Sequence, residues 1–73
     1  MDRREESLHK FGQRLKYLRE KQNFTISELA ARSGLDPGII EKIEAGRVDP
    51  EISVIVALAG GLGVAVGELV DGL

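Results

Sequence analysis

The side chains of this sequence that could do chemistry are its carboxylates and its cations. Cysteine is absent and His9 is the single histidine. That removes disulfides, thiolate nucleophiles and thiolate metal sites, and a lone His beside a helix start makes no metal centre. Gly60-Gly61-Leu62-Gly63 does not follow a strand pattern, so it is not a dinucleotide fingerprint. There is no nucleophile, base and orienter set and no phosphate loop. Most carboxylates sit at helix starts or opposite bases, as solvated helices show. These residues predict no enzyme, no cofactor and no metal. The charge distribution is more informative. Residues 1–24 hold seven bases against four acids, net +3, and residues 25–73 hold three bases against eight acids, net −5, which together give the formal −2. The total alone argues weakly against a nucleic-acid partner, but the start of the chain is basic.

These charges need a scaffold, and the apolar spacing supplies one. Leu8, Phe11, Leu15 and Leu18 recur at helical intervals, which predicts a first helix from about Leu8 to Gln22 with Asn23 near its end. Residues 1–7 (MDRREES) show no periodicity and are expected to be a disordered tail, leaving one domain over 8–73. Thr25-Ile26-Ser27-Glu28 is a capping-box pattern, with Phe24 placed for a staple against Leu29. The second helix should run from Ile26 to Arg32 or Ser33 and stop at Gly34. Asp36-Pro37 starts the third, with Ile40 and Ile43 inward and Gly46 at its end. Ile52 to Gly61 reads as a fourth helix and Ala65 to Val70 as a fifth. Five short helices with short connections make an all-α bundle.

The second and third helices are joined by Ser33-Gly34-Leu35-Asp36, a short Gly-containing turn of the helix-turn-helix kind. The match extends further. The stretch FGQRLKYLREKQNFTISELAARSGL, the II at 39–40, KIEAG at 42–46, the DP at 49–50, and ALAGGLGV followed by GELV keep a familiar order and spacing. From Phe11 to Val70 the chain resembles the lambda-repressor-like (Xre family) helix-turn-helix domain. The resemblance implies a five-helix bundle with a central helix-turn-helix, a bacterial or phage origin, and a third helix that enters the major groove of double-stranded DNA.

By position, that likeness puts base readout on Pro37, Gly38 and Lys42, flanked by Asp36, Ile39 and Glu41. Pro37 offers no donor and Gly38 no side chain. Lys42 can donate to guanine, Glu41 can accept from cytosine N4, and Ile39 can touch a thymine methyl. Phosphate contacts are expected at the start of the second helix, from the backbone at Ile26 and from Thr25 and Ser27. Relatives often carry Gln where Ile26 stands. Arg47 matches a basic position that commonly touches the DNA backbone, and Lys10 and Arg14 join it if the first helix lies along the duplex. The likeness also implies a structural ion pair between Arg19 and Glu44.

EISVIVALAGGLG carries no charge between Ile52 and Gly63, although a surface helix should show a polar face. Two helical glycines are costly, and close backbone approach would explain Gly60 and Gly61. The surplus apolar surface predicts a homodimer through Ile52, Ile55, Val56, Leu62, Val66 and Leu69. Two readings follow. In the first, the chain is a sequence-specific transcriptional regulator, similar to restriction-modification controllers or antitoxins. In the second, the fold serves mainly to bind protein, such as a cognate toxin, with weak or no DNA binding. No apolar run follows the N-terminal charges and none reaches the length of about 20 residues that spans a bilayer, so a cytoplasmic protein is expected, without a membrane partner.

Overall fold

The computed structural model describes residues 2–73, and its element order is α1 Arg3–Lys21, α2 Ile26–Ser33, α3 Pro37–Glu44, α4 Ile52–Leu62 and α5 Val66–Leu69. The fold is all-α, as the periodicity predicts. Each boundary has a local cause. Thr25 and Glu28 form the reciprocal capping box, with the Thr25 hydroxyl accepting from the Glu28 N–H at 3.0 Å and the Glu28 carboxylate accepting from the Thr25 N–H at 2.9 Å. The Thr25 backbone N–H, followed by the Thr25 hydroxyl, holds the Glu28 carboxyl below its ordinary pKa, because hydrogen bonding to the carboxylate favours its charged form. Gly34 closes α2 in the left-handed conformation at φ 71°, and the Leu35 N–H then bonds the Ala30 carbonyl at 3.0 Å.

The first helix corrects the expectation of a disordered tail at residues 1–7. It begins at Arg3, five residues before the predicted start, with the Asp2 carboxylate accepting from the Glu5 N–H at 2.8 Å. Glu5 and Glu6 lie in its first turn, where the helix dipole favours negative charge. Arg4 reaches Asp49 at 3.5 Å across the surface. Caps and charges, not apolar spacing, carry this segment. Met1 lies outside the described residues.

The core unites Phe11, Leu15 and Leu18 of α1, Leu29 and Ala30 of α2, Ile40 and Ile43 of α3, Leu58, Ala59 and Leu62 of α4, and Leu69 of α5. Burying each such Leu, Ile or Phe side chain stabilises the fold by about 1.5–3 kcal/mol. The second helix packs against α3 and α4, while α1 lies across α3 and α5. The helices α2 and α4 come close together at Gly61, where a Cβ would stand 3.0 Å from Ser33 Cβ and 3.2 Å from Leu29 Cδ1. The Arg32 Nε donates to the Gly61 carbonyl at 2.7 Å, and its guanidinium lies 4.7 Å from the Phe24 ring. Gly60 has nothing within 4 Å, so close approach accounts for Gly61 alone.

The apolar fourth helix divides differently from the expected dimer surface. Leu62 is 2 % exposed and Leu69 is 0 % exposed, so both belong to the chain's own core and cannot meet a second copy. Ile52 at 79 %, Val56 at 53 % and Val66 at 41 % remain uncovered, with Ile55 half-buried beside them. Among the described residues no helix is long and apolar enough to cross a membrane.

Candidate nucleic-acid interface

The third helix presents its outer face to solvent. Asp36 caps it, accepting from the Gly38 N–H at 2.7 Å, and Pro37 fills the first helical position. The Ile39 N–H bonds the Asp36 carbonyl at 3.1 Å. The first turn therefore keeps no backbone donor for a ligand: Pro37 has none, and Gly38 and Ile39 use theirs. A Cβ at Gly38 would stand 3.1 Å from the Asp36 carboxylate, so a small residue suits the cap. Any reading by this helix falls on side chains farther along it.

Those side chains meet in one open groove. It is lined by Gly38, Glu41, Lys42, Glu44 and Ala45 of α3 and its cap, with Ile26 of α2, Lys16 of α1 and Arg47 of the following loop. The structure thus brings together Gly38, Glu41, Lys42, Ile26 and Arg47, which were expected at the interface. Arg47 is fixed at its root, because its N–H bonds the Lys42 carbonyl at 2.9 Å while Gly46 turns the chain at φ 72°. Thr25 and Ser27, the chain neighbours of Ile26, are exposed. The Thr25 N–H is spent on Glu28, but the Ile26 and Ser27 N–H groups, as the first two of a helix, have no intrahelical partner.

Three expected contacts lie elsewhere. Ile39 is half-buried against the core and is not among the residues that line the groove. Arg14 turns its Nε onto the Glu68 carbonyl at 2.9 Å and stacks 5.6 Å from the Tyr17 ring. Lys10 lies one turn before Arg14 on the same side of α1. At about 100° per residue, both stand roughly half a turn from Gly12, the residue that touches α3. The face of α1 toward the groove carries Lys16 instead, a residue outside the set that the sequence predicts. A signal for it existed. Residues 12, 16 and 19 share one helical face, so the expected pairing of Arg19 with Glu44 already pointed Lys16 toward α3.

That ion pair is present. The Arg19 guanidinium donates to both Glu44 oxygens, at 2.7 and 3.0 Å, and to the Phe24 carbonyl at 2.8 Å. The two side chains are only 10 % and 8 % exposed. The hydrogen bonds to Glu44 raise the Arg19 pKa further above its ordinary value, outweighing burial. Because Arg19 neutralises Glu44, the groove's remaining charges are Lys16, Lys42 and Arg47 against Glu41 alone. A chain that is acidic in sum displays a locally cationic groove around α3.

Comparison with known proteins agrees with this geometry. A family profile described as Helix-turn-helix matches residues 15–69. The immunity repressor protein of Bacillus phage phi105 is 36% identical over 59 residues, covering 81% of this chain and 41% of that protein, so the chain spans less than half of that relative's length. The crystal structure of the restriction-modification controller protein C.AhdI from Aeromonas hydrophila superposes with a TM-score of 0.83 at 37% identity, covering 85% of this chain and 94% of that one. With its Gly34 elbow, its exposed third helix and a matched segment that takes in all but the first turns of the bundle, the chain belongs to the lambda-repressor-like helix-turn-helix family.

Proposed function

We propose that this chain is a small sequence-specific DNA-binding transcriptional regulator acting as a homodimer. The observation that carries the reading is the cationic groove around the open face of α3, in a fold shared with a repressor and a controller protein. The third helix enters the major groove of double-stranded DNA. Lys42 donates to guanine O6 and N7, Glu41 accepts from cytosine N4, and Gly38 lets the helix approach closely. The side chains of Arg47, Thr25 and Ser27 and the free N–H groups of Ile26 and Ser27 hold phosphates. The comparisons do not favour the alternative of a fold used mainly for binding protein, such as a toxin. A DNA partner implies an intracellular location.

Binding to a library of duplexes at several salt concentrations tests the DNA reading. Affinity should fall steeply as salt rises, since neutralised phosphates release counterions. Lys42→Ala should relax preference at one base pair, by about 1–3 kcal/mol, whereas Arg47→Ala should weaken every sequence alike and reduce the salt slope by about 1. Binding indifferent to both substitutions would refute it.

The dimer rests on a different surface. Ile52 and Val56 stand one turn apart on α4 and both are exposed, with Val66 nearby in sequence on α5. A second copy covering this stripe would remove it from water and set the two third helices about 34 Å apart, for successive major grooves. Sedimentation should find a dimer, and Val56→Glu should return it to a monomer with its helical content intact. A wild-type chain that stays monomeric at high concentration would dispose of the dimer.

A further inference from the structure

We propose that Lys16 of α1 is a phosphate-binding residue that, with Arg47, grips the DNA backbone beside the reading helix; the assignment rests on the DNA reading above. Three observations support it. First, Lys16 lines the same groove as Lys42 and Arg47, although it comes from an element outside the helix-turn-helix itself. Second, its ammonium forms no ion pair or hydrogen bond among the described residues, whereas the guanidiniums of Arg4, Arg14, Arg19 and Arg32 are all engaged by carboxylates or carbonyls of the chain. Third, the packing that brings Lys16 there is specific. Gly12, one turn earlier, lets α1 lie directly on the carbonyls at the C-terminal end of α3, and Arg19, one turn later, is locked to Glu44. Lys16 is held between these two anchors and faces the end of α3, where Arg47 emerges. Lysine suits the task, because a flexible ammonium serves as a point charge for phosphate without demanding a fixed fork.

A lysine on a phosphate carries no sequence information, so its loss should act on all duplexes equally. The experiment measures affinity of the full chain for a short mixed-sequence duplex across a salt series, for the wild type, Lys16→Ala and Lys21→Ala. Lys21 is the control: it is exposed on the opposite side of α1, 5.9 Å from the Tyr17 ring, and its replacement changes net charge by the same amount. Loss of one phosphate contact should lower the slope of log affinity against log salt by about 0.9 and weaken binding about eightfold at 0.1 M salt. Lys21→Ala should leave the slope unchanged. An unaltered slope in Lys16→Ala or an equal loss in Lys21→Ala would each overturn the assignment while leaving the DNA reading intact. A wild type with no salt-dependent affinity for duplex would overturn the DNA reading, and Lys16 with it. Thermal melting of both variants separates lost contact from lost fold.

Discussion

Glu44→Ala should destabilise the fold strongly, with a loss of about 3–5 kcal/mol by urea titration. A chain of this length has a total stability of only about 4–11 kcal/mol at 0.05–0.15 kcal/mol per residue, so the loss takes at least about a quarter of it and, at the low end of the range, nearly all. The reason is what remains behind. Arg19 keeps only its bond to the Phe24 carbonyl, and its guanidinium stays at a site where the side chain is 10 % exposed. A buried Lys could shed its proton, but Arg19 cannot, because a guanidinium keeps its proton far above physiological pH. The variant must therefore bury an uncompensated cation or unfold. Removing both charges gives a different result. Arg19→Met with Glu44→Leu should be near neutral or more stable than wild type, since the pair's attraction mainly offsets its own desolvation. A Glu44→Ala loss below about 1 kcal/mol would show that the pair is as solvated as a surface one.

The parts of this molecule that obey local rules were legible in the sequence. Thr25 and Glu28, Gly34, and Asp36 with Pro37 mark boundaries through hydrogen bonds within a few residues, and the structure places each where those bonds require. The parts that depend on three-dimensional packing were not. No apolar stripe announces the first five residues of α1, because Asp2 and an ion pair to Asp49 hold them. In α4 no polar face marks the solvent side, so sequence periodicity could not separate Leu62, in the core, from Ile52 and Val56 outside it. The same difficulty affected the cations of α1. Lys10, Arg14 and Lys16 are equally basic, and apart from the pairing of Arg19 with Glu44 only the crossing point of α1 on α3 marks which side meets the groove. That crossing point is Gly12, a residue with no side chain and hence no weight in any pattern of polarity.

Gly12→Ala should accordingly be among the most damaging single substitutions in the chain, although it adds one methyl group. The new Cβ would collide with the Ile43 carbonyl oxygen and stand 2.7 Å from that of Glu44. Both are backbone atoms near the end of α3, so no rotamer change can relieve the contact and the two helices must move apart. Overpacking typically costs about 1–3 kcal/mol. Here the upper end of that range, or more, is expected, because separation also loosens Ile40 and Ile43, which are 0 % and 1 % exposed, and stretches the paired bonds from Arg19 to Glu44. Gly60→Ala supplies the matched comparison. It too adds one methyl to a helix, but with nothing within 4 Å. There the gain in helix propensity acts alone and should stabilise by about 0.5–1 kcal/mol. Urea titration of the two variants should therefore move the midpoint in opposite directions. If Gly12→Ala matched the wild type, α1 and α3 would not be in backbone contact, and the placement of Lys16 beside the reading helix would lose its physical basis.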